Sequence, residues 1–213
     1  MSGSVFIEND LKFRHPFCLI LAGPSSSGKS TWLLKLLKFH KQMISPEPNS
    51  IIYAYGSYHE HIPAMERSGI LTHCGIPTME MLTNASKPLL LVLDDLMLDA
   101  KSDFLADLFT RKSHHMEISV VMISQSLFDK NLKVPRNNSQ YIVLMRAPSS
   151  ALSIRNLGVQ LFPGQLEYFL DSYRKATDQL YGYILLDMHA SSNSSLRLRT
   201  NIFPGEEHTI FLP

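Results

Sequence analysis

The segment GPSSSGKS at residues 23–30 places two glycines, a lysine and a hydroxyl residue at the spacing G-x-x-x-x-G-K-[ST]. Glycines let a backbone wrap closely round oxygen atoms, successive N–H groups form an anion nest, and a following helix N-terminus adds positive potential. The chemistry such a loop supports is the binding of a nucleoside triphosphate. Gly23, Pro24, Ser25, Ser26, Ser27, Gly28, Lys29, Ser30 and Thr31 are the expected cradle for ATP. Within it Lys29 would reach the β- and γ-phosphates, and the Ser30 hydroxyl would ligate Mg²⁺.

An acidic feature lies downstream, where LLLVLDD at 89–95 ends an apolar run on two carboxylates. In nucleotide-hydrolysing folds with such a loop, an acid at the end of a buried strand holds Mg²⁺, the role expected of Asp94. Asp95 then stands where a general base could orient and deprotonate the attacking water. An Asp at a strand end also suits a cap or turn, so its sequence position alone leaves both roles open. Gln125, just past the run ISVVMIS (118–124), lies on the side of a parallel sheet where ligands bind. Its amide could contact both γ-phosphate and water as a sensor. Arg136, Arg111 and Arg146 are candidates for a charge-neutralising finger, with Arg136 first because KVPRNNSQ reads as a polar loop free to reach outward. His73, Cys74, His114 and His115 lack the spacing that puts metal ligands on one side of an ion.

These residues need rigid elements behind them. FCLILAG (17–23), IIYAYG (51–56), LLLVLDD, ISVVMIS and YIVLMR (141–146) are continuous apolar runs of the length of buried parallel strands. Residues 29–43 put Trp32, Leu33, Leu36 and Leu37 on one helical face and Lys35, Lys38 and Lys41 on another. Residues 102–113 form a second amphipathic pattern with Ser102 as a possible N-cap, connecting the third and fourth strands. Beyond residue 150, SALSIRNLG and FPGQLEYFLDSYRKAT read as helices, YGYILLDM as a strand and LRLRTNIF as a late antiparallel strand. The expected class is α/β, with a mainly parallel sheet flanked by helices. Residues 1–213 read as one P-loop ATPase domain, with a core over about 16–188 and a strand-like C-terminal extension over about 189–213.

The 213 residues are 45% apolar and 18% charged, enough for one sizeable core and far from a disordered composition. A net charge of +1 removes any global electrostatic argument for nucleic acid. Local segregation exists, because no Asp or Glu occurs between Lys130 and Leu166 while Lys130, Lys133, Arg136, Arg146 and Arg155 do. Ordinary surface cations would produce the same run. Two cysteines, Cys18 and Cys74, are too few for a disulfide framework, which fits a reducing compartment. No signal-peptide pattern opens the chain and no apolar run approaches a membrane span, so the expectation is an intracellular protein with no membrane span.

The succession GPSSSGKS, LLLVLDDLM, LFTRKSHHMEISVVMISQSLF, RNNSQYIVLMRAP and YGYILLDM resembles the FtsK-HerA superfamily of motor ATPases. Within it the similarity is to genome-packaging ATPases of double-stranded DNA viruses, of the type in Polintons and adintoviruses and, more distantly, poxviruses. It runs from about Pro16 to about Pro204. The resemblance implies a RecA-like core and a homo-oligomeric ring with ATP sites between subunits. It also implies ATP- and Mg²⁺-driven movement of double-stranded DNA into a preformed capsid, through contact with a capsid or portal vertex, and virion association during packaging. Lys29, Ser30, Asp94, Asp95 and Gln125 would take the family's phosphate, metal, water and sensor roles. Asp95 stands where the wider superfamily carries glutamate, one methylene shorter, and RAPSS at 146–150 replaces an N-P-R-D-like segment. Two other readings share the P-loop. A nucleotide or nucleoside kinase would need a lid segment for an acceptor, and an ATP-regulated interaction module would need neither Asp95 nor Gln125.

Overall fold

The computed structural model describes residues 11–96 and 102–213. Residues 1–10, part of the segment read for a targeting signal, lie outside them, as does the Ser102 side chain expected as a cap. The strands in chain order are β1 (Phe13–Arg14), β2 (Cys18–Ala22), β3 (Ile44–Ser45), β4 (Ser50–Tyr55), β5 (Leu71–Cys74) and β6 (Leu89–Asp94). They continue with β7 (Ile118–Ser124), β8 (Tyr141–Met145), β9 (Tyr183–Asp187), β10 (Leu198–Thr200) and β11 (Thr209–Phe211). The helices are α1 (Lys29–Met43), α2 (Ile62–Arg67), α3 (Met79–Asn84), α4 (Ser102–Asp107), α5 (Ser113–His115), α6 (Lys133–Asn138), α7 (Ala151–Leu161) and α8 (Leu166–Ala176). A π-helical turn, Leu108–Lys112, joins α4 to α5, so the amphipathic pattern over 102–113 is one helical segment with a local bulge.

Among the described residues nine strands share one sheet, in the order β11-β10-β9-β8-β2-β7-β6-β4-β5. From β8 to β5 the pairing is parallel, whereas β9, β10 and β11 add antiparallel edges. Strand alternation splits the core into two layers. Cys18, Ile20 and Ala22 face a cluster holding Leu105, Phe109, Ile154 and Phe169 from α4 to α8. Leu19 and Leu21 face Trp32, Leu33, Leu36 and Met65 from α1 and α2. Each such fully buried aliphatic side chain contributes about 1.5–3 kcal/mol relative to exposure, so the central strands are held rigidly from both faces. Cys18 belongs to this packing: burial pushes its thiol up to about 12, which suppresses the reactive thiolate.

Within residues 189–213, β10 and β11 continue the central sheet. Arg199 on β10 is fully buried, donates to Asp187 Oδ2 at 3.0 Å on β9 and to the Leu11 carbonyl at 3.0 Å. No helix among the described residues is long and apolar enough to cross a membrane.

Candidate active site

β2 ends at Ala22 and its sheet partner β7 ends at Ser124, whose carbonyl accepts the Gly23 N–H at 3.1 Å. This bond anchors the start of the loop to the sheet. The loop ends at Gly28, whose φ of 100° lies where a side chain is disfavoured, and α1 begins there without a side-chain cap or an acidic residue in its first turn. An added Cβ on Gly28 would also lie 2.8 Å from Tyr181 Cβ. The Ser27 hydroxyl is buried without a protein partner. Lys29 folds back over the loop, donating to the Gly23 and Pro24 carbonyls at 2.7 Å each. Its partial burial lowers the ammonium below its usual range, while the Asp94 and Asp95 carboxylates oppose that shift.

β7 lies between β2 and β6, so the cradle and the acidic pair sit two strands apart with Gln125 at the end of the strand between them. Ser25, Ser26, Lys29, Ser30, Asp94, Asp95 and Gln125 line one open cleft of about 550 Å³. Asp129, Ser57, Tyr58 and His59 also line it. Burial raises the Asp94 carboxyl above the usual carboxylate range, the Tyr53 hydroxyl and His59 pull it back, and Asp95 adds to the rise. Tyr53 donates its hydroxyl to Asp94 Oδ2 and shares a 2.7 Å hydrogen bond with His59 Nε2. Burial and the Asp94 charge raise the Tyr53 phenol, so it keeps its proton. Asp95 is exposed and has φ 54°, a left-handed conformation that Asp tolerates better than most residues. Gly56 makes that turn possible: its N–H donates to the Asp94 carbonyl at 2.9 Å, and a Cβ there would lie 2.4 Å from the Asp95 carbonyl oxygen.

The donor set fits a magnesium nucleotide. The Ser30 hydroxyl and the Asp94 carboxylate both line the cleft and offer hard oxygen ligands, the donor type Mg²⁺ takes. Of the expected cradle residues, Ser25, Ser26, Lys29 and Ser30 line this cleft, whereas Gly23, Pro24, Ser27, Gly28 and the exposed Thr31, third residue of α1, do not. Tyr53, His59 and Gly56 were missed in the sequence.

The arginines lie elsewhere. KVPRNN is helix α6 rather than a free loop, with Pro135 in the first turn where its missing N–H is tolerated. The Arg136 guanidinium donates to the Leu127 carbonyl at 3.2 Å and stacks 4.6 Å from the Phe128 ring centre. Arg111 pairs with Asp107 at 2.6 Å, and exposed Arg146 donates to the Asp178 carbonyl at 3.3 Å. None of the three lines the cleft within its own chain.

A parallel sheet with a glycine-lysine cradle at one strand end and an acidic strand end two places away defines a P-loop nucleoside triphosphatase. The profile of the family described as Poxvirus A32 protein matches residues 4–153, well over half of the chain. The chain belongs to that family and is a viral genome-packaging ATPase. Its fold is similar to that of the genome packaging NTPase B204 of Sulfolobus turreted icosahedral virus 2. The B204 complex with ATP-gammaS matches at 15% identity and TM-score 0.55, over 92% of this chain and 98% of that one. The complex with AMPPCP matches at 12% identity and TM-score 0.55, over 93% and 98%. A comparison with curated proteins gives no match.

Proposed function

We propose that the chain is the motor subunit that couples ATP hydrolysis to movement of double-stranded viral DNA into a preformed capsid. The observation that carries the reading is the convergence of Lys29, Ser30, Asp94, Asp95 and Gln125 on one cleft in a member of this family. Nucleotide binding is supported by the complexes in which B204 holds ATP-gammaS and AMPPCP. Lys29 and the loop N–H groups bind the phosphates, and Ser30 and Asp94 hold Mg²⁺. An ion held by Ser30 and Asp94 would supply positive charge to the phosphoryl group being transferred. Asp95 orients and accepts a proton from the attacking water, and Gln125 contacts the γ-phosphate.

The subunits assemble as a homo-oligomeric ring in which a neighbour's arginine completes each site, with Arg136, Arg111 and Arg146 as the candidates. The acid-free segment carrying Lys130, Lys133 and Arg155, all exposed, supplies cations for DNA backbone phosphates. The capsid or portal vertex is the docking partner, the working place is a reducing compartment of the host cell, and the motor joins the virion during packaging.

The test is ATP turnover against duplex DNA of unrelated sequences. Turnover should rise with each DNA to a similar degree, and binding should weaken steeply as salt increases, because the grip is on phosphates. Undetectable duplex affinity at low salt in the assembled ring would overturn the motor reading.

A further inference from the structure

Tyr53 lies in the middle of β4, a buried strand, and its ring is 0% exposed. A tyrosine there must find partners for its hydroxyl. It finds two, Asp94 Oδ2 and His59 Nε2. The hydroxyl has one proton. A carboxylate only accepts, so with Asp94 ionised, as a metal ligand must be, that proton points at Oδ2. The hydroxyl oxygen then accepts, and His59 Nε2 must carry a hydrogen. The other ring nitrogen, Nδ1, accepts the His61 backbone N–H at 3.3 Å, so it carries none. Donor counting therefore assigns His59 as the neutral Nε2–H tautomer and gives the chain a direction, His59 to Tyr53 to Asp94. The His59 ring meets Tyr53 edge-on, with centroids 5.7 Å apart at 88°.

We propose that Tyr53 and His59 are positioning residues for the metal: their hydrogen-bond relay engages Asp94 Oδ2 and leaves Oδ1 as the oxygen that would ligate Mg²⁺. This rests on the reading of the cleft as an Mg–ATP site. Groups that hold a metal-ligating carboxylate from behind change metal affinity through orientation. The relay also ties the segment 56–61 to the metal. That segment faces the cleft through Ser57, Tyr58 and His59, and His59, Glu60 and Asp94 also line a smaller adjoining cavity of about 230 Å³.

The test measures binding rather than turnover. A fluorescent ATP analogue is titrated onto the full chain in EDTA and then at rising Mg²⁺, giving the Mg²⁺ concentration for half of the metal-dependent signal. Tyr53→Phe keeps the ring and removes the hydroxyl, and should raise that midpoint about 10- to 100-fold, the range for losing such a supporting group. Affinity in EDTA should stay unchanged, which a merely unfolding variant would not allow. His59→Ala should raise the midpoint less, and His59→Gln, whose amide N–H can replace Nε2–H, should restore it. The Tyr53→Phe/His59→Ala pair should match Tyr53→Phe alone, because His59 acts through the hydroxyl. A Tyr53→Phe midpoint within about twofold of wild type, or single effects that multiply in the double variant, would overturn the relay. If wild type itself bound the analogue without any Mg²⁺ dependence, the reading of the cleft as an Mg–ATP site would fall, and the relay with it.

Discussion

Gly28→Ala separates two costs that the loop geometry predicts. The φ of 100° puts an alanine in a left-handed region, costing about 1–2 kcal/mol. The new Cβ would also meet Tyr181 Cβ at 2.8 Å and Cδ1 at 2.9 Å, below any ordinary contact distance. Overpacking of this kind costs about 1–3 kcal/mol, so the sum is about 2–5 kcal/mol. For a chain of this size the loss corresponds to roughly 4–20 °C in melting midpoint. Thermal unfolding of Gly28→Ala, Tyr181→Gly and the double variant isolates the steric part, because Tyr181→Gly removes both atoms that clash. The double variant should recover about 1–3 kcal/mol of the Gly28→Ala loss as a coupling energy. Nucleotide titration should show Gly28→Ala weakened and the double variant partly restored. Additive effects of the two substitutions would refute the argument that Tyr181 closes the loop against larger residues.

Three further outcomes follow from the cleft. Asp95→Asn should leave nucleotide binding near wild type and slow hydrolysis about 10²- to 10⁴-fold, the range for losing general-base help, in a single-turnover phosphate-release assay; normal turnover would remove Asp95 from the mechanism. Asp94→Asn should abolish Mg²⁺-dependent nucleotide binding yet raise the metal-free melting midpoint at neutral pH. The folded Asp94 carboxyl is raised by burial, so its ionised form is penalised only in the fold, and the penalty is full above the folded value. The gain should therefore vanish as pH falls below the unfolded carboxyl range, and a pH-independent gain would point to another cause. Mixed rings of Lys29→Ala with Arg136→Ala, Arg111→Ala or Arg146→Ala subunits should recover partial ATPase activity only for the arginine that acts on a neighbour's site. Full activity of any of these arginine variants alone would exclude that residue.

The parallel core was legible because β2, β6, β7 and β8 are continuous apolar runs, and α1 because Trp32, Leu33, Leu36 and Leu37 recur at helical spacing. β5 was not, since LTHC is an edge strand in which Thr72 and His73 interrupt the apolar residues and no residue is buried, so it carries no run to detect. The alternation LRLR announced a strand but not that Arg199 points inward, which depends on Asp187 arriving from β9. KVPRNN looked like a loop because Pro and Asn disfavour helix interiors, yet Pro135 falls in a first turn where it costs little. At the site, Lys29, Ser30 and Asp94 are carried by motif spacing. Tyr53 and His59 are six residues apart on a strand and the segment after it, and only folding brings both behind Asp94. A tyrosine inside a buried strand was the available signal, because its hydroxyl must be satisfied somewhere.

The central claim, that hydrolysis in this cleft moves duplex DNA, is tested most directly by triplex displacement. A fluorescent third strand annealed to a long duplex is released only when something travels along the duplex to it. With ATP and Mg²⁺ the wild-type protein should displace the third strand, with a lag that grows with the distance between the free end and the triplex. Lys29→Ala should displace none. Displacement by Lys29→Ala equal to wild type, or ATP turnover stimulated by DNA with no displacement at any distance, would contradict the account.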